Sequence, residues 1–261
     1  MGNAKRRLEI MKAKYPRCCL CAGGNPTETI EHAPPKVMFW HKHRPKGFEV
    51  PACKRCNNKS SNADQLAAFI ALSQSTRGDN LTDKESKYFD KVMRGVDNNI
   101  GNIKDILKLS GDGETLGIVY YDNEKLFKEH LGPWAAKQTL AHWFDMSGGR
   151  ILSSNGLVAV RWQTNYELAF KHEFSDIITS LKSIYDLKAG KWSVLDQFVL
   201  KYSLNIEEGI LAVFAAYHNC GFIGFLIEDR SKLEGRTLKI LGDRGAAFYP
   251  CKTNGLTEFN L

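Results

Sequence analysis

Residues 17–58 read RCCLCAGGNPTETIEHAPPKVMFWHKHRPKGFEVPACKRCNN and contain two C-x-x-C pairs separated by 31 residues. The pairs are Cys18 and Cys21, and Cys53 and Cys56. Each pair can present two thiolates to one tetrahedral Zn²⁺, and a site with four sulfur ligands is closed and structural. Because this proline-rich segment lacks apolar periodicity, it needs a cross-link to fold. We predict that the four cysteines bind a structural zinc ion and that Cys19 points away; four unliganded core cysteines are the alternative.

Three further residues have the chemistry that phosphodiester hydrolysis requires: Glu31, His32 and Asn57. An imidazole suits a general base at neutral pH, and carboxylate and amide oxygens suit Mg²⁺ or Mn²⁺. Such a cation neutralises charge on the phosphate and on the departing oxygen. A zinc ion would bring Asn57 close to the Glu31-His32 segment across 24 intervening residues. The alternatives are an ordinary loop histidine for His32 and a helix N-cap for Asn57.

The order C-x-x-C, Glu-His, C-x-x-C-Asn and then a helix resembles the zinc-stapled branch of the HNH (ββα-metal) endonucleases over about residues 15–72. The resemblance implies a small ββα module with His32 as general base and with Glu31 and Asn57 as ligands of one divalent ion. It also implies cleavage that leaves a 5′-phosphate and a 3′-hydroxyl. Two features depart from the family. The first metal ligand of the family is most often Asp, whereas this chain has Glu31 there. The middle Asn of the family has no counterpart within residues 46–51.

Asp64 follows Asn57 by two helical turns and is either an additional ligand of the divalent ion or a solvated helix carboxylate. Positive charge is concentrated in the same region. Residues 1–64 contain 13 Lys/Arg against 5 Asp/Glu, whereas residues 65–261 contain 23 against 24. Such a field favours a polyanion, and nucleic acid first, with DNA as the expected form. The predicted phosphate-contacting residues are Lys36, His41, Lys42, His43, Arg44, Lys46, Lys54, Arg55 and Lys59.

The rest of the chain predicts a larger α+β domain. Apolar spacing predicts helices over residues 4–14, 60–73, 83–93, 100–109 and 134–146. Strands are predicted over residues 157–162, 197–204, 210–217, 222–227 and 237–241, joined as an antiparallel meander. We therefore expect an HNH module in residues 1–74 and a second domain in residues 83–261. The second domain should be helical over 83–150 and mainly β over 156–261.

The composition excludes several classes of protein. With 261 residues, 43% hydrophobic and 25% charged, the chain is neither disordered, collagenous nor a coiled coil. Its odd number of cysteines and its charged N-terminus predict a reducing, cytoplasmic location. The apolar residues 209–228 have polar residues at their centre, which favours two strands over a membrane span.

These features predict a metal-dependent HNH endonuclease, with a bacterial or phage defence role as a hypothesis. The near-neutral second domain would recognise a substrate, a protein partner or a signal, or would mediate a homo-oligomer. The main alternative is a zinc-stapled nucleic-acid-binding protein without catalysis, which the missing middle Asn favours. A third alternative is a subunit whose zinc-bound segment docks another protein.

Overall fold

The computed structural model describes residues 2–75, 81–101, 108–109, 119–120, 126–163, 175–233, 239 and 246–252. The helices are α1 (Asn3–Lys14), α2 (Lys54–Asn58), α3 (Ser61–Ser73), α4 (Asp83–Asn99), α5 (Gly132–Met146) and α6 (Ser175–Ser180). The strands are β1 (Thr29–His32), β2 (Glu49–Ala52), β3 (Lys108–Leu109), β4 (Val119–Tyr120), β5 (Leu157–Gln163), β6 (Lys182–Ser183), β7 (Lys188–Ala189), β8 (Trp192–Ser193), β9 (Phe198–Asn205), β10 (Ile210–Tyr217), β11 (Cys220–Ile227) and β12 (Ala247–Pro250). The predicted α+β class is confirmed.

The N-terminal part has the order strand, strand, helix. β1 and β2 pair antiparallel, with His32 opposite Glu49 and Glu31 opposite Val50. The chain then enters α2 and α3, and α1 lies against both strands. Helix α3 is buried on most of its surface, because residues 66–72 are all buried and a run of this length covers every side of a helix.

The second half of the chain forms a six-stranded antiparallel sheet in the order β12-β5-β11-β10-β9-β6. The predicted meander is confirmed in β9, β10 and β11, and β5 and β12 extend it. Helix α5 packs on this sheet, and Thr139 lies so close to Gly224 that any side chain there would collide with it. The opposite side of α5 contacts β2 and the Cys19–Cys21 turn. One continuous core therefore joins the hairpin to the sheet through α5.

Two predicted elements differ from the structure or lie outside it. The predicted helix over residues 100–109 is wrong at its end, since Lys108–Leu109 pairs with Val119–Tyr120 as a two-stranded ladder. Pairing with another segment outweighs the helical spacing of these residues, and residues 102–107 and 110–118 lie outside the described residues. The predicted strand over 237–241 also lies outside them, apart from Lys239. None of the described helices has the length and apolar character needed to cross a bilayer.

The fully buried His142 on α5 makes the fold acid-sensitive. Its ring packs edge-on against Phe48, with centroids 5.6 Å apart, and burial lowers its pKa from 6.5 to about 4. The unfolded chain therefore takes up this proton more readily, so the contribution of His142 to stability is complete above pH 6.5 and falls as the pH drops towards 4, by up to ~1.4 kcal/mol per unit. In urea titrations at pH 7 and pH 5, His142→Leu should lose less stability on acidification than the wild type. Equal losses in both proteins would contradict this.

Candidate metal centre and basic cleft

The four predicted cysteine ligands come together although two distant segments supply them. The sulfur atoms of Cys18, Cys21, Cys53 and Cys56 all lie within 4.8 Å of one another. A tetrahedral four-thiolate site requires separations of about 3.8 Å between its sulfurs, so this cluster can hold one metal ion. Cys19 is buried and lies outside the cluster, as predicted.

In both C-x-x-C turns the sulfur of the first cysteine accepts a backbone N–H from within the turn. The Cys18 Sγ accepts the backbone N–H of Leu20 at 3.4 Å, and the Cys53 Sγ accepts that of Cys56 at 3.4 Å. The Asn25 side-chain amide also donates to the Cys21 Sγ at 3.3 Å. N–H groups that point at sulfur stabilise thiolates and orient them as ligands, so the cluster is prepared for a metal ion.

The second C-x-x-C pair places Asn57 against β1. Cys53 is the N-cap of α2, and Asn57 lies within this helix, so the N-cap alternative for Asn57 is not adopted. The Asn57 Nδ2 donates to the Thr29 Oγ1 at 3.0 Å and to the Ile30 carbonyl at 3.5 Å. The amide therefore contacts the strand that carries Glu31 and His32.

Glu31 points into the protein and meets a lysine from α5. Its Oε1 lies 3.0 Å from the Lys137 Nζ, which also lies 3.9 Å from the Asp64 Oδ1 and donates to the Ser60 hydroxyl. The Trp134 Nε1 donates to the same Asp64 oxygen at 2.8 Å. Asp64 is thus largely buried, and the alternative of a solvated helix carboxylate is not what the structure shows.

Burial dominates the electrostatics of this carboxylate pair. It raises the pKa of Glu31 and of Asp64, and the nearby Lys137 ammonium opposes the increase at both groups. The Glu31 Oε2 has no hydrogen-bond partner among the described residues. Two carboxylates, one of them with a free oxygen, fit a hard divalent cation by their chemistry. The cation that contacts them in the structure is the ammonium of Lys137.

His32 lies on the other face of β1, since successive strand residues alternate. Its Nδ1 lies 3.5 Å from the Glu49 Oε1, and that oxygen accepts a 3.0 Å hydrogen bond from Arg44. Arg7 donates to the other oxygen of Glu49. Burial and the charge of Arg44 lower the pKa of His32 to about 4, so its imidazole is neutral at pH 7. A neutral ring can accept a proton.

Seven of the nine predicted basic residues divide between two surfaces, and His41 and Lys54 line neither. His32 opens into a cleft of about 570 Å³, here called the basic cleft. Its basic lining consists of Arg7, Lys36, Lys42, His43, Arg44 and Lys46. Arg55 and Lys59 instead line a separate pocket together with Lys137, and Lys54 is exposed beside Glu28, which accepts its backbone N–H. His41 lies 3.1 Å from the buried Glu85 of α4, so it connects the loop to that helix.

Three residues of the site have no place in the sequence prediction. Glu49 lies within residues 46–51, where the middle Asn is missing, and it lies opposite His32 in the paired strands. A carboxylate at this place in the sequence was the available signal for a partner of His32. The signal for Lys137 is a lysine on a helix that is otherwise predicted to be core. Arg7 carries no such signal, because it is one of several basic residues on an exposed helix.

The fold and the site define an α+β protein with a four-cysteine cluster that could hold a metal ion, together with a buried carboxylate pair and a basic cleft. Comparisons with protein-family models, with curated proteins and with solved structures give no match.

Proposed function

We propose that this chain is a metal-dependent endonuclease of the HNH type, with DNA as its expected substrate and with zinc in the four-cysteine cluster. One observation carries the proposal. A cluster suited to a metal ion closes a strand-strand-helix unit, in which the amide of Asn57 contacts the strand of Glu31 and His32. Zinc is the proposed ion because it prefers tetrahedral sites with four thiolates.

The basic cleft supplies the remaining requirements for binding and proton transfer. Its lysine and arginine side chains can neutralise several phosphates, which gives affinity without sequence preference. His32 is the proposed base that takes a proton from the attacking water. Glu49, itself held by Arg44 and Arg7, lies beside the ring and takes the positioning role that the missing middle Asn has in the family.

The divalent ion of the proposed reaction would be held by Glu31 and Asn57, with Asp64 as a further oxygen ligand. When bound, Mg²⁺ or Mn²⁺ supplies positive charge to the phosphate and to the departing oxygen. One observation favours the second candidate function, a nucleic-acid-binding protein without catalysis. Lys137 already provides Glu31 with a positive partner at 3.0 Å.

Plasmid DNA incubated with the zinc-loaded protein and Mg²⁺ or Mn²⁺ tests the two functions. We expect cleavage by the wild type and a loss of about 100-fold or more in rate for His32→Ala, the effect of losing a general base. His43→Ala is the matched control, because this residue lines the same cleft and should affect binding alone. Cleavage by His32→Ala at the wild-type rate would remove His32 from the reaction. Salt-sensitive binding without cleavage under any metal would establish the second function.

A further inference from the structure

The ammonium of Lys137 occupies a central position between two carboxylates. It belongs to α5 in the second half of the chain, yet it contacts Glu31 of β1 and Asp64 and Ser60 of the α3 region. Lys137 is only 5% exposed, and Glu31 is 3% exposed. A lysine is rarely buried to this degree without paired charge, so the two carboxylates are what hold it there.

Of the three charged groups, only Lys137 lines the adjoining pocket. It lines a pocket of about 140 Å³ together with Arg55, Lys59, Ser60 and Trp134. Neither Glu31 nor Asp64 lines this pocket. Its volume accommodates several water molecules, each of which needs about 10–15 Å³. An ion that enters through this pocket therefore meets Lys137 before it meets Glu31.

The charges leave the carboxylate pair only partly compensated. One ammonium faces two carboxylates, and the Glu31 Oε2 accepts no hydrogen bond from the described residues. An ammonium has three donors and a single charge, whereas a divalent cation coordinates several oxygens at once. The carboxylates can therefore exchange one kind of cation for the other.

We propose that Lys137 is the resident cation of the Glu31–Asp64 pair, and that a divalent ion binds these carboxylates only by displacing its ammonium. Lys137 thereby sets the affinity for the divalent ion and couples α5, which packs on the sheet, to the proposed nuclease site. This inference rests on the proposed function in taking Glu31 as a ligand of the divalent ion. It adds the group that controls access to that ligand.

Binding of Mn²⁺ to the full zinc-loaded chain, followed by the EPR signal of free Mn²⁺, tests this competition. Lys137→Met should bind Mn²⁺ about tenfold or more tightly than the wild type, because one positive charge at contact distance is removed. The gain should disappear in the double variant Glu31→Gln/Lys137→Met. Lys59→Met is the matched control, since it removes a lysine from the same pocket and should leave the affinity nearly unchanged.

Equal Mn²⁺ affinity in the wild type and in Lys137→Met would overturn the inference, as would a gain that survives Glu31→Gln. If Lys137→Met does not fold, Lys137→Gln takes its place, because it removes the charge but keeps a polar side chain, and the same gain in Mn²⁺ affinity is expected. The DNA assay is independent of this measurement. A protein that gains Mn²⁺ affinity without cutting DNA would retain the inference and lose the proposed nuclease function.

Discussion

Replacing Cys18 or Cys53 with serine should abolish metal binding by the four-cysteine cluster and unfold the segment of residues 17–58. This segment has a two-stranded hairpin, short turns and little regular structure between its cysteines, so the cluster is its main cross-link. A structural zinc ion contributes about 10–16 kcal/mol of apparent binding free energy, which matches or exceeds the whole stability of a typical domain. Metal content should fall from one ion per chain to nearly none, and backbone amides of β1 and β2 should lose protection from hydrogen exchange.

Cys19→Ala is the matched control for these substitutions. Cys19 is equally buried and adjacent to a ligand, but it lies outside the cluster. The Cys19→Ala protein should keep the metal and lose only the packing of one small side chain. Because the Cys19–Cys21 turn contacts α5, loss of the metal should also loosen α5. A Cys18→Ser protein with full metal content and unchanged hydrogen-exchange protection would contradict the role of the cluster as a structural cross-link.

The cluster could be predicted from the sequence because its geometry is local. A C-x-x-C turn brings two sulfurs together through the backbone alone, and only the pairing of the two turns depends on the rest of the chain. The meander β9–β11 was predictable for a similar reason, since alternation and turn residues determine neighbouring strands.

The environment of Glu31 could not be predicted in this way. Lys137 is 106 positions further along the chain, and helical periodicity gives no information about which distant strand a helix residue touches. The sequence also does not predict which surface each basic residue lines. Lys46 and Lys59 are close in sequence but line different surfaces, because the chain passes from one side of the β1–β2 hairpin to the other between them.

Replacing Lys137 alone should destabilise the fold more than replacing Lys137 and Glu31 together. Lys137→Met leaves Glu31 and Asp64 buried without their cation, and removing one partner of a buried ion pair typically costs about 3–5 kcal/mol. Glu31→Gln/Lys137→Met also removes the charge of Glu31 and should recover part of this loss, because Asp64 alone then remains without its cation. Urea denaturation of the two variants and of the wild type measures the free energies of unfolding.

The loss of unfolding free energy in Lys137→Met should depend on pH, because the substitution removes the ammonium beside two buried carboxyl groups. Burial already raises the pKa of Glu31 and Asp64, and loss of the ammonium that opposes this increase raises both further. A carboxyl whose folded pKa exceeds its unfolded pKa is most stabilising when protonated, and that stability is lost as the pH rises through the folded value. The variant should therefore be destabilised more at pH 8 than at pH 5. Added Mn²⁺ should restore stability at pH 8, because an ion that binds only the folded state stabilises it by mass action. A cost below about 1 kcal/mol at both pH values would place the ammonium in solvent, where ion pairs contribute little.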